Sequence, residues 1–192
     1  MNIIGLCGST GAGKDEAARR ISGRRMESAM ERHSDYLRSR LECNGREPIP
    51  ANMSALFEAN AKVLGYQWVA VDVVRSIWNR YQYVGCDGPW SVAIVGIRNV
   101  DEVAYYRREF AKSPRNTFFR LVAIVAPQET RFERIRNRGE RPGEKGMSWE
   151  DFVAIERLNG NTGLREVMRL ADARVLNTGT KEHLYERIDA LL

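Results

Sequence analysis

The sequence predicts an α/β protein, a parallel sheet wrapped by helices on both faces, and three observations carry that expectation. Short apolar runs alternate along the chain with segments of helical periodicity, the pattern of β-α-β units. Two of the runs, Ser91-Val92-Ala93-Ile94-Val95-Gly96 and Phe118-Phe119-Arg120-Leu121-Val122-Ala123-Ile124-Val125, are almost continuously apolar, as strands buried on both faces must be. A glycine-rich turn, Gly8-Ser9-Thr10-Gly11-Ala12-Gly13-Lys14, joins the first apolar run to the first helical segment. With 192 residues there is room for one such domain and a full core, so residues 1–192 read as a single domain.

Ile3-Ile4-Gly5-Leu6-Cys7 is the first strand, and Asp15-Glu16-Ala17-Ala18-Arg19-Arg20-Ile21 favours helix until Gly23 breaks it. Met26-Glu27-Ser28-Ala29-Met30-Glu31 alternates apolar with polar residues, as a short half-buried strand does. Ser34 is placed to cap a helix through Tyr36, Leu37, Leu41 and Cys43, which Asn44-Gly45 ends. Beyond a loop with Pro48 and Pro50, Asn52 or Ser54 opens a helix with Leu56, Phe57, Ala61 and Leu64, closed by Gly65. A third helix carries Val69, Val73, Ile77 and Tyr81, so residues from about 34 to 83 read as a helical insertion between strands. The strand at 91–96 leads to a helix from Asp101 to Lys112, and the strand at 118–125 to a helix that Pro127 starts. Gly139 to Gly146 is polar and suits a mobile flap, within a lid of about residues 134 to 148. Ser148-Trp149-Glu150-Asp151 has the form of a capping box that restarts helix. Ala173-Arg174-Val175-Leu176 is the last short strand, before a helix from Thr180.

Hydrophobic content of 43% with 29% charged residues is that of a water-soluble globular domain, and no apolar run is long enough to span a bilayer. Met1-Asn2-Ile3-Ile4 lacks the basic flank of a secretory leader. The three cysteines, Cys7, Cys43 and Cys86, have neither disulfide nor zinc spacing, so a reducing, cytoplasmic setting is expected. Lys plus Arg number 30 against 25 Asp plus Glu, and the cations are mostly arginine. A net charge of +5 and a pI near 9.3 favour a polyanionic partner, either nucleic acid or simply bound phosphates.

The turn at 8–14 has the spacing of a phosphate-binding loop. Its glycines let successive N–H groups point at phosphate oxygens, the following helix presents its positive N-terminus, and Lys14 reaches the terminal phosphates. Asp15 stands where a Ser or Thr ordinarily holds magnesium. The competing reading is a dinucleotide-binding turn on Gly8, Gly11 and Gly13. Lys14 at the helix start, and the lack of a clear strand ending in an acid some twenty residues on, argue against it.

Phosphoryl transfer needs groups that position phosphates and neutralise charge. Arg134 and Arg138 lie one turn apart on an arginine-dense helix that also holds Arg131 and Arg136, and with Arg141 they suit a lid over a triphosphate; a solvated basic face is the alternative. Arg98 follows a buried strand, at the end where open α/β sheets bind ligands. Asp35, beside His33, Ser34 and Arg38, is placed either to take a proton from an acceptor hydroxyl or to cap a helix. Trp90, next to Gly88-Pro89, and Trp149, beside the flap, are candidates for ligand contact. Trp78 and Tyr81 share a face that belongs in the core. His33 and His183 form no metal constellation.

These residues resemble the small P-loop kinases related to dephospho-CoA kinase and to phage deoxynucleoside monophosphate kinases, a group with an archaeal branch. Gly8 to Asp15 is similar to the GxxxxGKD loop of phage nucleotide kinases, and His33-Ser34-Asp35-Tyr36-Leu37-Arg38 resembles the segment bearing the acceptor-site acid. Gly96-Ile97-Arg98-Asn99-Val100-Asp101-Glu102-Val103 resembles the group's Asp-Gly-Ile-Arg-Asn-x-x-Glu-Val stretch. Arg131 to Arg141 looks like its lid, and Asn177-Thr178-Gly179-Thr180 like the loop that packs on adenine. The resemblance covers most of the chain and implies a three-layer P-loop kinase sandwich with a five-stranded parallel sheet, ATP as donor and magnesium as cofactor. Val95 departs from it, standing where the group has an aspartate that helps hold the metal through water; either Asp15, which is well placed, takes over that charge, or the metal is bound differently, or activity is lost.

The expected activity is therefore ATP-dependent phosphorylation of a nucleotide-like acceptor bound by Asp35, Arg38, Arg98 and Trp90. Within the resembling group, the phage enzymes that phosphorylate 5-hydroxymethyluridine in DNA match the basic pI and the GKD loop, which makes duplex DNA in a phage-infected host cytoplasm the first expectation. A deoxynucleoside monophosphate kinase, or a dephospho-CoA kinase-like small-molecule kinase, is the enzymatic alternative. An ATP-binding regulator is the non-enzymatic one, kept open by the loss of acid at Val95.

Overall fold

Five strands form one sheet in the computed structural model, which describes residues 1–23, 28–83, 91–113, 117–139, 144–160 and 163–192. They are β1 (Asn2–Cys7), β2 (Ala29–Arg32), β3 (Ser91–Val95), β4 (Phe118–Val125) and β5 (Ala173–Leu176). Their order is β2-β3-β1-β4-β5 and every pairing is parallel, so the α/β sandwich read from the sequence is the fold observed. Register places Leu6 beside Val95 and Val122, and Val95 beside Arg32, which aligns the C-terminal ends of the central strands.

Alternate residues of each strand feed two separate cores, the consequence of a two-residue repeat in a sheet covered on both faces. Ile3, Val92, Ile94 and Leu121 face one way, against α4 (Trp68–Tyr83), α5 (Val100–Ala111) and α8 (Leu164–Arg169) through Val73, Ile77, Tyr106, Phe110 and Val167. Ile4, Leu6, Ala93, Val122 and Ile124 face the other way, against α1 (Lys14–Ser22) and α9 (Lys181–Asp189) through Ala17, Ile21, Leu184 and Ile188. On the first face Tyr106, Phe110 and Phe119 stack on one another at centroid separations of 5.4–6.0 Å.

Between β2 and β3 the chain forms α2 (His33–Cys43), α3 (Pro50–Leu64) and α4, the expected helical insertion. The starts differ from expectation. β2 runs straight into α2 with Arg32 as its cap, so Ser34 lies inside the first turn and caps nothing. α3 begins at Pro50, at the N-terminal position where a missing N–H is no loss, and not at Asn52 or Ser54. α5 begins one residue before Asp101 because Asn99 and Glu102 form a capping box. In β2 the buried positions are Ala29 and Glu31, with Met30 half-buried, because the Glu31 carboxylate accepts from Tyr36 Oη at 2.7 Å and Ser76 Oγ at 3.1 Å. Residues 26–27, where that strand was expected to begin, lie outside the described residues.

After β4 come α6 (Gln128–Arg138) and α7 (Trp149–Gly160). The expected box at the start of α7 is present, Asp151 N–H donating to Ser148 Oγ at 3.0 Å. The short α8 was not expected, and no helix among the described residues is long and apolar enough to cross a membrane.

Candidate functional site

β1 hands over to α1 through the glycine loop, and the loop has no space for side chains at its ends. A Cβ on Gly8, whose φ is +140°, would lie 2.2 Å from the Ile124 carbonyl oxygen of the adjacent strand. Gly13 caps α1 at φ +99°, and a Cβ there would lie 2.2 Å from Asn177 Nδ2. Both conformations are ones that only glycine adopts without strain. Lys14 donates from Nζ to the Gly8 carbonyl at 2.7 Å and the Ser9 carbonyl at 2.9 Å, which folds its ammonium over the loop at the N-terminus of α1. The N-terminal N–H groups of α1 and a cation thus meet at one point, the arrangement that binds phosphate.

On the β4–β5 side, Asn177 fixes the loop from behind. It is 6% exposed, directly follows β5, and donates from Nδ2 to the Ala12 carbonyl at 2.9 Å and from its backbone N–H to the Val125 carbonyl at 2.7 Å. Arg134 donates to its carbonyl and Oδ1 at 3.2 and 3.4 Å. Arg134 Nη1 is buried with no hydrogen-bond partner, and desolvation lowers the pKa of its guanidinium. A buried donor of this kind is costly until a ligand satisfies it. Gly179 is exposed in the turn before α9.

The other arginines of α6 divide the work. Arg131 is buried and structural: it donates to the Ala126 and Thr10 carbonyls at 3.1 and 3.3 Å, pairs with Glu156 at 2.6 Å and lies 5.6 Å above the Phe152 ring. Arg136 sits over Phe132. Arg138 donates to both carboxylate oxygens of Glu144, a residue only 5% exposed on the far side of the flap. Arg134 and Arg138 therefore hold different partners, one on the Asn177 loop and one on the flap. Trp149 packs on Phe132 and Phe152 rather than standing apart. Arg141 and Trp90 lie outside the described residues.

On the β2–β3 side four charged residues alternate in a row. Asp15 Oδ1 accepts from Arg32 Nε at 3.1 Å, Arg32 Nη1 lies 3.7 Å from Asp35 Oδ2, and Arg38 Nη1 donates to Asp35 Oδ1 at 3.0 Å. Asp35 lies in the first turn of α2 without capping it. Arg98 extends from the end of β3, exposed, and its backbone N–H donates to Glu102 Oε2 at 2.9 Å. The other Glu102 oxygen lies 3.1 Å from His33 Nδ1, and His33 Nε2 shares a 2.7 Å hydrogen bond with Tyr106 Oη. Burial pushes the Tyr106 hydroxyl well above its ordinary pKa. This buried triad joins the start of α2, which carries Asp35, to the turn that carries Arg98. Among the described residues no three His, Cys, Asp or Glu side chains converge as a metal cluster.

Similarity to known proteins fits this arrangement. A UPF0200 protein of Pyrococcus horikoshii is 30% identical over 190 residues, covering 99% of this chain and 95% of its own length. A second, from Methanoculleus marisnigri, is 30% identical over 193 residues, covering 100% and 96%. The chain belongs to the UPF0200 family. No family model matches it. Among solved structures, shikimate kinase from Aquifex aeolicus superposes with a TM-score of 0.57 at 17% identity over 100% of this chain and 95% of that one. The tunicamycin resistance protein of Deinococcus radiodurans does so with a TM-score of 0.59 at 15% identity, over 99% and 94%. The fold of this UPF0200 protein is thus that of the P-loop kinases, as the sequence resemblance implied. These relatives are archaeal and lend no support to the expected phage origin.

Sequence reading of the UPF0200 chain gave no role to four residues that the fold brings into the site region: Arg32, Glu144 and, though quoted in motifs, Glu102 and His33. Arg32 had a usable signal, since it ends a strand directly before His33-Ser34-Asp35. Glu102 had one in the Asn-x-x-Glu spacing of a capping box. Glu144 had none, because no spacing pattern links it to Arg138.

Proposed function

We propose that this UPF0200 protein is an ATP-dependent phosphotransferase acting on an anionic, nucleotide-like acceptor. The observation that carries this reading is the placement of the Gly8–Lys14 loop between two sets of polar residues. Arg134 and Asn177 stand on one side, in the segments that follow β4 and β5, and Asp35, Arg38 and Arg98 on the other, in the segments that follow β2 and β3.

The residues present fit a nucleoside triphosphate. The loop can wrap phosphate because no Cβ intrudes at Gly8 or Gly13, and the partnerless Arg134 Nη1 offers a donor that an anion would satisfy. Asp15 is the carboxylate placed for magnesium, and one carboxylate beside substrate phosphates is enough for that ion. Bound magnesium would supply charge neutralisation on the phosphates. Lys14 neutralises the terminal phosphates, Arg138 joins it when the flap closes and Glu144 is exchanged for phosphate, and Asn177 with Gly179 lines the base side. In the transfer, an acceptor oxygen forms a bond to the γ-phosphorus as the bridging P–O bond to ADP breaks. Where the acceptor is a hydroxyl, Asp35 takes its proton.

The acceptor class is the finer part of the proposal. The resemblance to phage kinases points to the 5-hydroxymethyl group of 5-hydroxymethyluridine in DNA, and the free alternatives are deoxynucleoside monophosphates and dephospho-CoA. Incubation with γ-labelled ATP and, in parallel, hydroxymethyluracil-containing duplex, ordinary duplex, each deoxynucleoside monophosphate and dephospho-CoA separates them. Label in one arm names the acceptor, and binding to the modified duplex that falls steeply with salt accompanies the DNA outcome. ATP binding with label in no arm overturns the kinase reading in favour of an ATP-binding regulator.

A further inference from the structure

Arg32 has no part in the transfer chemistry just described, yet it stands between the two carboxylates that have. It is the last residue of β2, paired in register with Val95, and its side chain is 31% exposed, so packing does not lock the guanidinium. One donor, Nε, is engaged on Asp15 at 3.1 Å. The other end, Nη1, lies 3.7 Å from Asp35 Oδ2, just beyond hydrogen-bond distance. Val95 beside it is apolar, so Asp15 and Asp35 are the acids within its reach that these contacts identify.

We propose that Arg32 is an exchangeable counter-ion and a positioning residue, which neutralises Asp15 when that carboxylate holds no metal and closes onto Asp35 when it does. The inference rests on the kinase reading above and adds to it a link between donor and acceptor sides. A divalent cation at Asp15 repels the guanidinium across a few ångströms of partly exposed protein, where like charges still interact appreciably. Arg32 then has a second carboxylate within a short side-chain movement, and reaching it needs no backbone change. Asp35, already held by Arg38 on Oδ1, gains a second guanidinium on Oδ2 and is fixed in orientation as the donor side fills. Such coupling is reciprocal: whatever engages Asp35 in place of Arg32 also alters the affinity of Asp15 for its cation.

The test is manganese binding, read by electron paramagnetic resonance of free Mn²⁺, to protein saturated with a non-hydrolysable ATP analogue. Arg32→Gln is expected to bind Mn²⁺ at least about fivefold tighter than wild type, the lower end of ordinary coupling between sites. Arg32→Lys, which keeps the charge, should stay near wild type. In an Asp15→Asn background the Arg32→Gln gain should vanish. Unchanged Mn²⁺ affinity in Arg32→Gln, or a gain that persists without Asp15, overturns the proposal while leaving the kinase reading intact. Failure of folded wild-type protein to bind the analogue overturns both, and melting curves of each variant identify any that is not folded.

Discussion

The Arg138 guanidinium faces the Glu144 carboxylate across the flap and donates to both of its oxygens, one of them from Nε at 3.1 Å. Glu144 is almost wholly buried while Arg138 retains about a quarter of its exposure, so the acid needs the pair more than the guanidinium does. Glu144→Gln should lower stability by about 1–3 kcal/mol, since it removes a charge-assisted hydrogen bond at a buried acid. It should also tighten ATP binding, because Arg138 no longer has to leave an anion in order to meet phosphate. Calorimetric titration with ATP decides this, and an unchanged affinity would remove Arg138 from the lid role.

Asn177 is the second point of leverage. Asn177→Ala leaves the Ala12 carbonyl without its donor and deprives Arg134 of one acceptor, a loss of about 1–3 kcal/mol for groups this buried. In a chain of this size that corresponds to a melting temperature lower by roughly 2–4 °C per kcal/mol. Gly8→Ala should be worse, because its Cβ would meet the backbone of β4 and not a movable side chain. Thermal melts of both variants give the ranking, and Asn177→Ala proving the more damaging would contradict it.

Asp35 separates the acceptor classes. Asp35→Asn keeps the size and most of the hydrogen bonding to Arg38 but cannot take a proton. Loss of turnover by about a hundredfold or more is expected for a hydroxyl acceptor, the usual contribution of a general base. For a phosphate acceptor, already ionised, the loss should be confined mainly to KM. Steady-state kinetics with the acceptor identified by labelling tells the two apart.

Cys7 and Cys43 should differ sharply in reactivity. Burial pushes the Cys7 thiol up to about 12, whereas Cys43 is exposed at the end of α2. At pH 8 iodoacetamide should label Cys43 in the native protein and leave Cys7 untouched, because the thiolate is the reacting species. Urea should make both react. Peptide mapping is the readout, and native labelling of Cys7 would mean that β1 opens far more readily than its burial implies.

The strands were the most legible part of the sequence. Residues 118–125 and 173–176 read as strands with the bounds observed, the first because Leu121 to Ile124 are buried on both faces and leave an apolar run. β2 was less legible, since an edge strand that buries Glu31 breaks the alternation expected of it. Helix ends turned on single residues, as at Pro50 and Asn99, and α8 is too short to show a period. In the candidate site, the glycine loop was readable because local spacing defines it. The partnerships of Arg32 with Asp15 and of Arg138 with Glu144 were not, for they are tertiary contacts that no local spacing encodes. Arg131 shows the reverse error: an arginine grouped with the lid is a core residue, because the Thr10 and Ala126 carbonyls and Glu156 together satisfy its guanidinium.

The strand order β2-β3-β1-β4-β5 distributes these residues unevenly along the chain. Arg32, Asp35, Arg38 and Arg98 all come from the stretch that supplies β2, β3 and the helices between them, while Arg134, Arg138, Glu144 and Asn177 come from the stretch around β4 and β5. The two sets touch through the central loop and its helix alone in the contacts described above. Exchanging one contiguous stretch, a little under half of the gene, would therefore replace every residue proposed for the acceptor side and leave the proposed donor side in place. Grafting residues 28–113 between members of the family is the laboratory form of the same exchange.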